Sequence, residues 1–259
     1  MTAAARAGRR AWGAAARRIE RPEAALLAIL LTGLAVYGWF APPFWLAVAV
    51  AGQLVLGGLG AVWIIGAVRA RFGFARYATL AVAGVSATLL GRLLAPIVQL
   101  ALAPVIAVLL FGVLWFELRL STGRSPRLAI DLTLVGIVFA AAAGVAATFP
   151  TASWPPTVIL VVAAAMIPAM RAAELRGRFG VEAVGQAALH LLAVAQLGVA
   201  LALLHLPGVV GSAVLALGFH AWSGAAEALD SGARGRAVAI EFGSLALLGL
   251  LVALLLRPA

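Results

Sequence analysis

Apolar runs of about twenty residues alternate along this chain with short segments that hold nearly all of its arginines. Seventeen of the nineteen arginines fall in segments 6–21, 69–76, 119–127, 171–178 and 234–236, and only Arg92 and Arg257 lie elsewhere. The intervening turns are almost free of charge. Carrying arginine across a bilayer is disfavoured, so this bias holds the basic loops in the cytoplasm and sends the other turns outside. The alternation predicts an all-α polytopic transmembrane bundle of about nine spans, near 24–41, 44–68, 77–94, 97–116, 128–148, 156–170, 183–204, 208–228 and 237–256. Pro42-Pro43, Ala95-Pro96, Pro155-Pro156 and Pro207 punctuate the outer turns, where proline ends a helix without removing a needed donor. Nine spans place the N-terminus inside and Ala259 outside.

Composition narrows the function classes. At 64% hydrophobic and 11% charged residues the chain leaves no room for a separate soluble domain. The net charge of +10 comes wholly from arginine in short loops. That placement fits membrane lipids with anionic headgroups at the cytoplasmic loops, and not nucleic acid. Cysteine is absent, which excludes disulfides and thiolate chemistry; lysine is absent, which excludes a Schiff-base cofactor. An arginine-, alanine- and glycine-rich chain without lysine or asparagine reads as the product of a GC-rich bacterial genome, and the expected location is the cytoplasmic (inner) membrane. Residues 1–22 form a cytoplasmic basic arm, which as an interfacial helix would lie on the membrane surface. No small-x-small cleavage site follows the first apolar run, so that span is expected to stay uncleaved.

Polar residues recur at fixed offsets. Arg69-Ala70-Arg71-Phe72-Gly73 returns as Arg176-Gly177-Arg178-Phe179-Gly180, and Glu117, Ser121, Arg124 and Asp131 return as Glu227, Ser231, Arg234 and Glu241. Four helices bring a chain back to its starting side, so the copies would be parallel repeats related by an axis along the membrane normal. The organisation is then the arm 1–22, a first four-helix repeat 23–117, a second 118–229, and a final transmembrane helix 230–259.

The candidate sites lie near the arginine-rich side. Glu117, Asp131, Glu227 and Glu241 could bound a polar vestibule that binds a cation or relays protons. On the alternative reading each pairs with a loop arginine such as Arg124 or Arg234, with Asp131 and Glu241 also opposing a helix N-terminal dipole. In the eighth helix His220, Ser223, Gly224 and Glu227 share one face. Glu241 and Ser244 lie at similar depths on the ninth, and Glu182, Gln186 and His190 form a stripe on the seventh. Together they could line a polar cavity in the second repeat. His190 and His220 could bridge helices by hydrogen bonds or ligate a cofactor; His205 is expected at the outer surface. Small residues make packing faces at Gly57, Gly58 and Gly60, at Gly136, Ala140 and Gly144, and at Gly243 with Ala246. No metal site and no catalytic residue is indicated, and the cofactor stays unknown.

Nine helices with the N-terminus inside, four-helix halves and a closing single helix, together with the opening Arg21-Pro22-Glu23, resemble the UbiA superfamily of intramembrane prenyltransferases. Loops 69–76 and 171–182 occupy the places of that family's two aspartate-rich motifs, which hold magnesium on a prenyl diphosphate. Here the first loop has no acidic residue and the second only Glu174 and Glu182. The resemblance therefore implies the fold, or a degenerate relative, without that catalytic apparatus.

Three functions follow from these features. The first is a non-catalytic membrane protein that binds a hydrophobic ligand or serves as a subunit or assembly factor with a protein partner in the membrane. The second is a transporter, and the third a lipid-modifying enzyme with His220 or Glu227 as acid or base. The first is the expectation here, because charge is absent from the midplane and small-residue faces abound.

Overall fold

The structure, a computed structural model, describes residues 22–66, 73–120, 127–149, 154–204, 206 and 208–255. The basic arm, Arg69, Arg71, Arg124, His205 and Arg257 lie outside them. Among the described residues the fold is all-α, with nine helices and no strand. They are α1 (Pro22–Phe40), α2 (Pro43–Ile65), α3 (Ala75–Gly91), α4 (Pro96–Leu120), α5 (Arg127–Thr148), α6 (Trp154–Leu175), α7 (Val181–Leu203), α8 (Gly208–Asp230) and α9 (Gly235–Leu255).

Eight of the nine are long and apolar enough to span a membrane; the exception is α3. It has 17 residues, the short end of what a bilayer core requires. It also needs no lipid-facing stripe, because α1, α2, α4, α5 and α6 all pack around it. Its two threonines are consequently buried and bonded locally: Thr79 donates to the Ala75 carbonyl at 2.9 Å and Thr88 to the Gly84 carbonyl at 2.8 Å. Gln53, fully buried on α2, donates to the Leu31 carbonyl of α1 at 2.7 Å. Where lipid removes the hydrophobic drive for association, such crossings and close packing hold helices together.

Glycine sets the closest approaches. A Cβ on Gly57 would stand 2.7 Å from the Ala81 Cα, and one on Gly144 would stand 2.7 Å from the Leu90 nitrogen, so α2 and α5 press on the backbone of α3. Gly58, Gly136 and Gly243 meet nothing within 4 Å and take no part in such contacts.

Contacts between helix ends give the alternation of direction. Arg92, just past α3, donates to the Gly38 and Ala41 carbonyls at the end of α1, at 2.9 and 3.0 Å. The start of α3 meets the end of α6, and the start of α5 meets the end of α8. The helix ends that flank the arginine-bearing segments thus gather at one end of the bundle. Arg92 stands at the other end because it satisfies carbonyls that a helix C-terminus leaves open. Two apolar cores result, one built mainly from α1–α4 and one mainly from α5–α8.

Candidate functional site

Three arrangements stand out among the described residues, two at the arginine-rich end and one opposite. The first is a buried ion cluster. Arg171, near the end of α6, grips Glu117 of α4 with two hydrogen bonds, Nε to Oε1 at 2.8 Å and Nη2 to Oε2 at 2.6 Å. Its Nη1 reaches Glu174 Oε2 at 3.1 Å. The other Glu174 oxygen accepts the Ala75 amide at 2.9 Å, filling one of the donors left open at the start of α3. Arg76 donates to the Glu117 backbone carbonyl at 3.2 Å. All four charged side chains are buried, and two guanidiniums offset two carboxylates. Gly73, with φ 71°, turns the chain directly against Glu174, where any side chain would collide with the carboxylate. The loop pairing foreseen for Glu117 is thus met from within a helix.

The second arrangement is a small polar cavity of about 60 Å³ between α5, α6 and α8. Asp131, Glu227, His220, Ser223, Arg127 and Arg176 line it. Four residues singled out in the sequence therefore come together. Ser223 Oγ has no hydrogen-bond partner among the described residues. Glu227 pairs with Arg127 at 3.5 Å, and both are more than half exposed. The space suits a few waters or a small ion; organic ligands take several hundred Å³.

The remaining predicted residues lie elsewhere. Glu117 belongs to the buried cluster. Glu241 and Ser244 are exposed on α9, where the Ser244 hydroxyl bonds back to the Glu241 carbonyl. Glu182 is exposed and bonded to Arg178, which also donates to Asp230 at 2.9 Å; Arg176 pairs with Asp230 at 3.4 Å. The bonds to Asp230 and then Glu182 raise the Arg178 guanidinium above its ordinary value. Burial lowers Arg176, with Asp230 the largest opposing influence. Gln186 is half-buried. His190 is buried against α8, its Nε2 3.2 Å from the Phe219 carbonyl and its ring stacked on Phe219 at 4.1 Å. No three histidine, aspartate or glutamate side chains among the described residues are grouped to hold a metal.

The third arrangement gave no signal in the sequence reading. A cavity of about 420 Å³ opens between α5, α6, α7 and α8 at the end away from the arginine loops. Its walls are mainly aliphatic, with Val145, Val158, Val161, Val194 and Leu215 prominent; Phe149 adds a ring, and Thr157 and Ser212 supply the hydroxyls. The Ser212 hydroxyl is already bonded to the Gly208 carbonyl at 2.6 Å. Gly198, Gly208 and Gly211 leave the space that side chains would otherwise fill.

No family model, no curated protein and no solved structure matches this chain.

Proposed function

We propose that this protein is a non-catalytic, multi-pass protein of a bacterial inner membrane that binds a chain-like apolar ligand between α5, α6, α7 and α8. The observation that carries the reading is the 420 Å³ aliphatic cavity, whose volume falls in the range of ligand sites and whose walls offer no reactive group. An organic ligand of this kind fits a pocket at bilayer depth, where the surrounding solvent is hydrocarbon. On this reading the arginine-bearing end faces the cytoplasm, the side on which a membrane retains arginine.

An internal duplication supports the assignment of the pocket to the second half alone. Gly73 and Gly180 hold matching places in the two arginine motifs, both with left-handed φ, 71° and 60°, just before α3 and α7. The packing of α1 on α2, α2 on α3, α3 on α4 and α1 on α4 recurs between α5 and α8 in the same order. The exception is α1 on α3: the third helix fills the centre of the first half, whereas α5 and α7 have no comparable contact. The ligand cavity lies in the half where that packing is missing. The resemblance to UbiA prenyltransferases then extends to topology only. Glu174, a carboxylate at the place of an aspartate-rich motif, is already committed to Arg171 and the Ala75 amide.

Transport is the second reading, favoured by the polar cavity around Asp131 and Glu227 at the opposite end of three of those helices, α5, α6 and α8. It requires passage across the buried layer that holds Phe219 and His190.

Lipid extraction and mass spectrometry of the purified protein test the proposal. Wild type should retain one apolar species beyond bulk phospholipid, and Gly198→Leu, which fills the cavity, should lower its recovery by about tenfold. Recovery of bilayer phospholipid alone, in equal amounts from both proteins, would count against it.

A further inference from the structure

The polar cavity between α5, α6 and α8 contains one carboxylate that no arginine claims. Arg127 is paired with Glu227 at 3.5 Å, and Arg176 with Asp230 at 3.4 Å. Asp131 lines the same space and makes no ion pair or hydrogen bond among the described residues. Ser223 of α8 lines it too, and its Oγ is buried without a partner. A serine inside a helix can bond back one turn, as Ser212 does to the Gly208 carbonyl on the same helix. Ser223 does not, and a buried polar atom left unmatched is costly.

Helix geometry brings these two groups to one level. The start of α5 meets the end of α8 through Arg127 and Glu227, so the two helices run in opposite directions there. Asp131 is four residues along α5 from Arg127, and Ser223 four residues back along α8 from Glu227. Each therefore lies about 6 Å deeper, on the same face as the pair above it. Arg127 and Glu227, both more than half exposed, stand at the mouth; Leu134, Val135 and Phe219 add apolar wall.

We propose that Asp131 and Ser223 bind a small monovalent cation of the size of sodium. The Asp131 carboxylate supplies the charge, Ser223 Oγ a neutral oxygen, and waters the remaining positions. The cavity of about 60 Å³ has room for such an ion with a few waters. One unmatched carboxylate balances one positive charge. Divalent ions take more carboxylates, and no three histidine, aspartate or glutamate side chains among the described residues are grouped to hold one. The site does not depend on the aliphatic cavity.

Equilibrium binding of radioactive sodium to the purified protein, at ionic strength held constant with choline chloride, tests the site. Wild type should show a single saturable class of sites. Asp131→Asn should weaken it about tenfold or more, and Ser223→Ala about threefold or more. Glu241→Gln, which removes an exposed carboxylate outside the cavity, should bind as wild type does. No saturable sodium binding in wild type, the result expected if Asp131 takes only protons or water, overturns the proposal and leaves the aliphatic cavity untouched. Wild-type affinity in either cavity variant also overturns it, because the sodium would then sit on surface carboxylates. Displacement by calcium at far lower concentration than by unlabelled sodium overturns the monovalent assignment. The wild-type isotherm needs no variant, and Ser223→Ala leaves every charge in place, so a folding defect in Asp131→Asn cannot obscure the outcome.

Discussion

Arg171 and Glu117 face each other as two planar groups joined by parallel hydrogen bonds of 2.8 and 2.6 Å, with 1% and 3% of their side chains exposed. The pair joins α6 to α4, and Glu174 extends the junction to the start of α3. Removing one partner of such a pair leaves a buried charge unmatched, at a cost of about 3–5 kcal/mol. Glu117→Ala should therefore unfold at a markedly lower temperature in detergent. Arg171→Lys should also fall well short of wild type, because a point charge cannot reproduce the fork. The apolar double replacement Glu117→Leu with Arg171→Met should recover much of the loss, measured in the same melting series.

Arg92 contributes through carbonyls, not carboxylates. Arg92→Ala removes charge-assisted bonds to the Gly38 and Ala41 carbonyls and should cost about 1.5–3 kcal/mol. Arg92→Lys should recover part of it. Reversible unfolding monitored by circular dichroism would show both.

The glycines divide sharply. Gly57→Leu and Gly144→Leu would drive side chains into the backbone of α3, and each should cost about 1–3 kcal/mol or more. Gly58→Ala and Gly243→Ala meet open space and should be neutral or stabilising by up to about 1 kcal/mol. Expression level and thermal stability should separate the two groups.

Glu227 is matched with Arg127 at 3.5 Å in an exposed pair, and Glu241 is exposed on α9. Glu227→Gln and Glu241→Gln should each change stability by no more than about 1 kcal/mol. A large loss would mean that these carboxylates hold an assembly contact.

The helices were legible in the sequence because hydropathy and proline mark them: the spans foreseen at 44–68 and 128–148 appear as Pro43–Ile65 and Arg127–Thr148. The buried cluster was not, for a specific reason. A hydropathy reading ends a span at its first charge, so the expected spans 77–94, 97–116 and 156–170 stop just short of Arg76, Glu117 and Arg171. In the fold those helices run on, to start at Ala75 and to end at Leu120 and Leu175. The charges neutralise one another inside the protein and need not mark its edge. The aliphatic cavity was equally hidden. Gly198, Gly208 and Gly211 look like any other small residues, and only the divergence of four helices turns them into a cavity wall. His220, Ser223 and Glu227 were legible as one face because they follow helical spacing, whereas Asp131 joins them only through the packing of α5 on α8.

The absence of cysteine permits a direct test of the membrane arrangement on which every assignment above depends. Single cysteines at Leu93, in the α3–α4 turn, and at Ser231, in the α8–α9 turn, would be treated with a membrane-impermeant maleimide in intact and in permeabilised cells. Leu93→Cys should label at once, and Ser231→Cys only after permeabilisation. Labelling of both from the same side, or of Ser231→Cys alone from outside, would contradict the account.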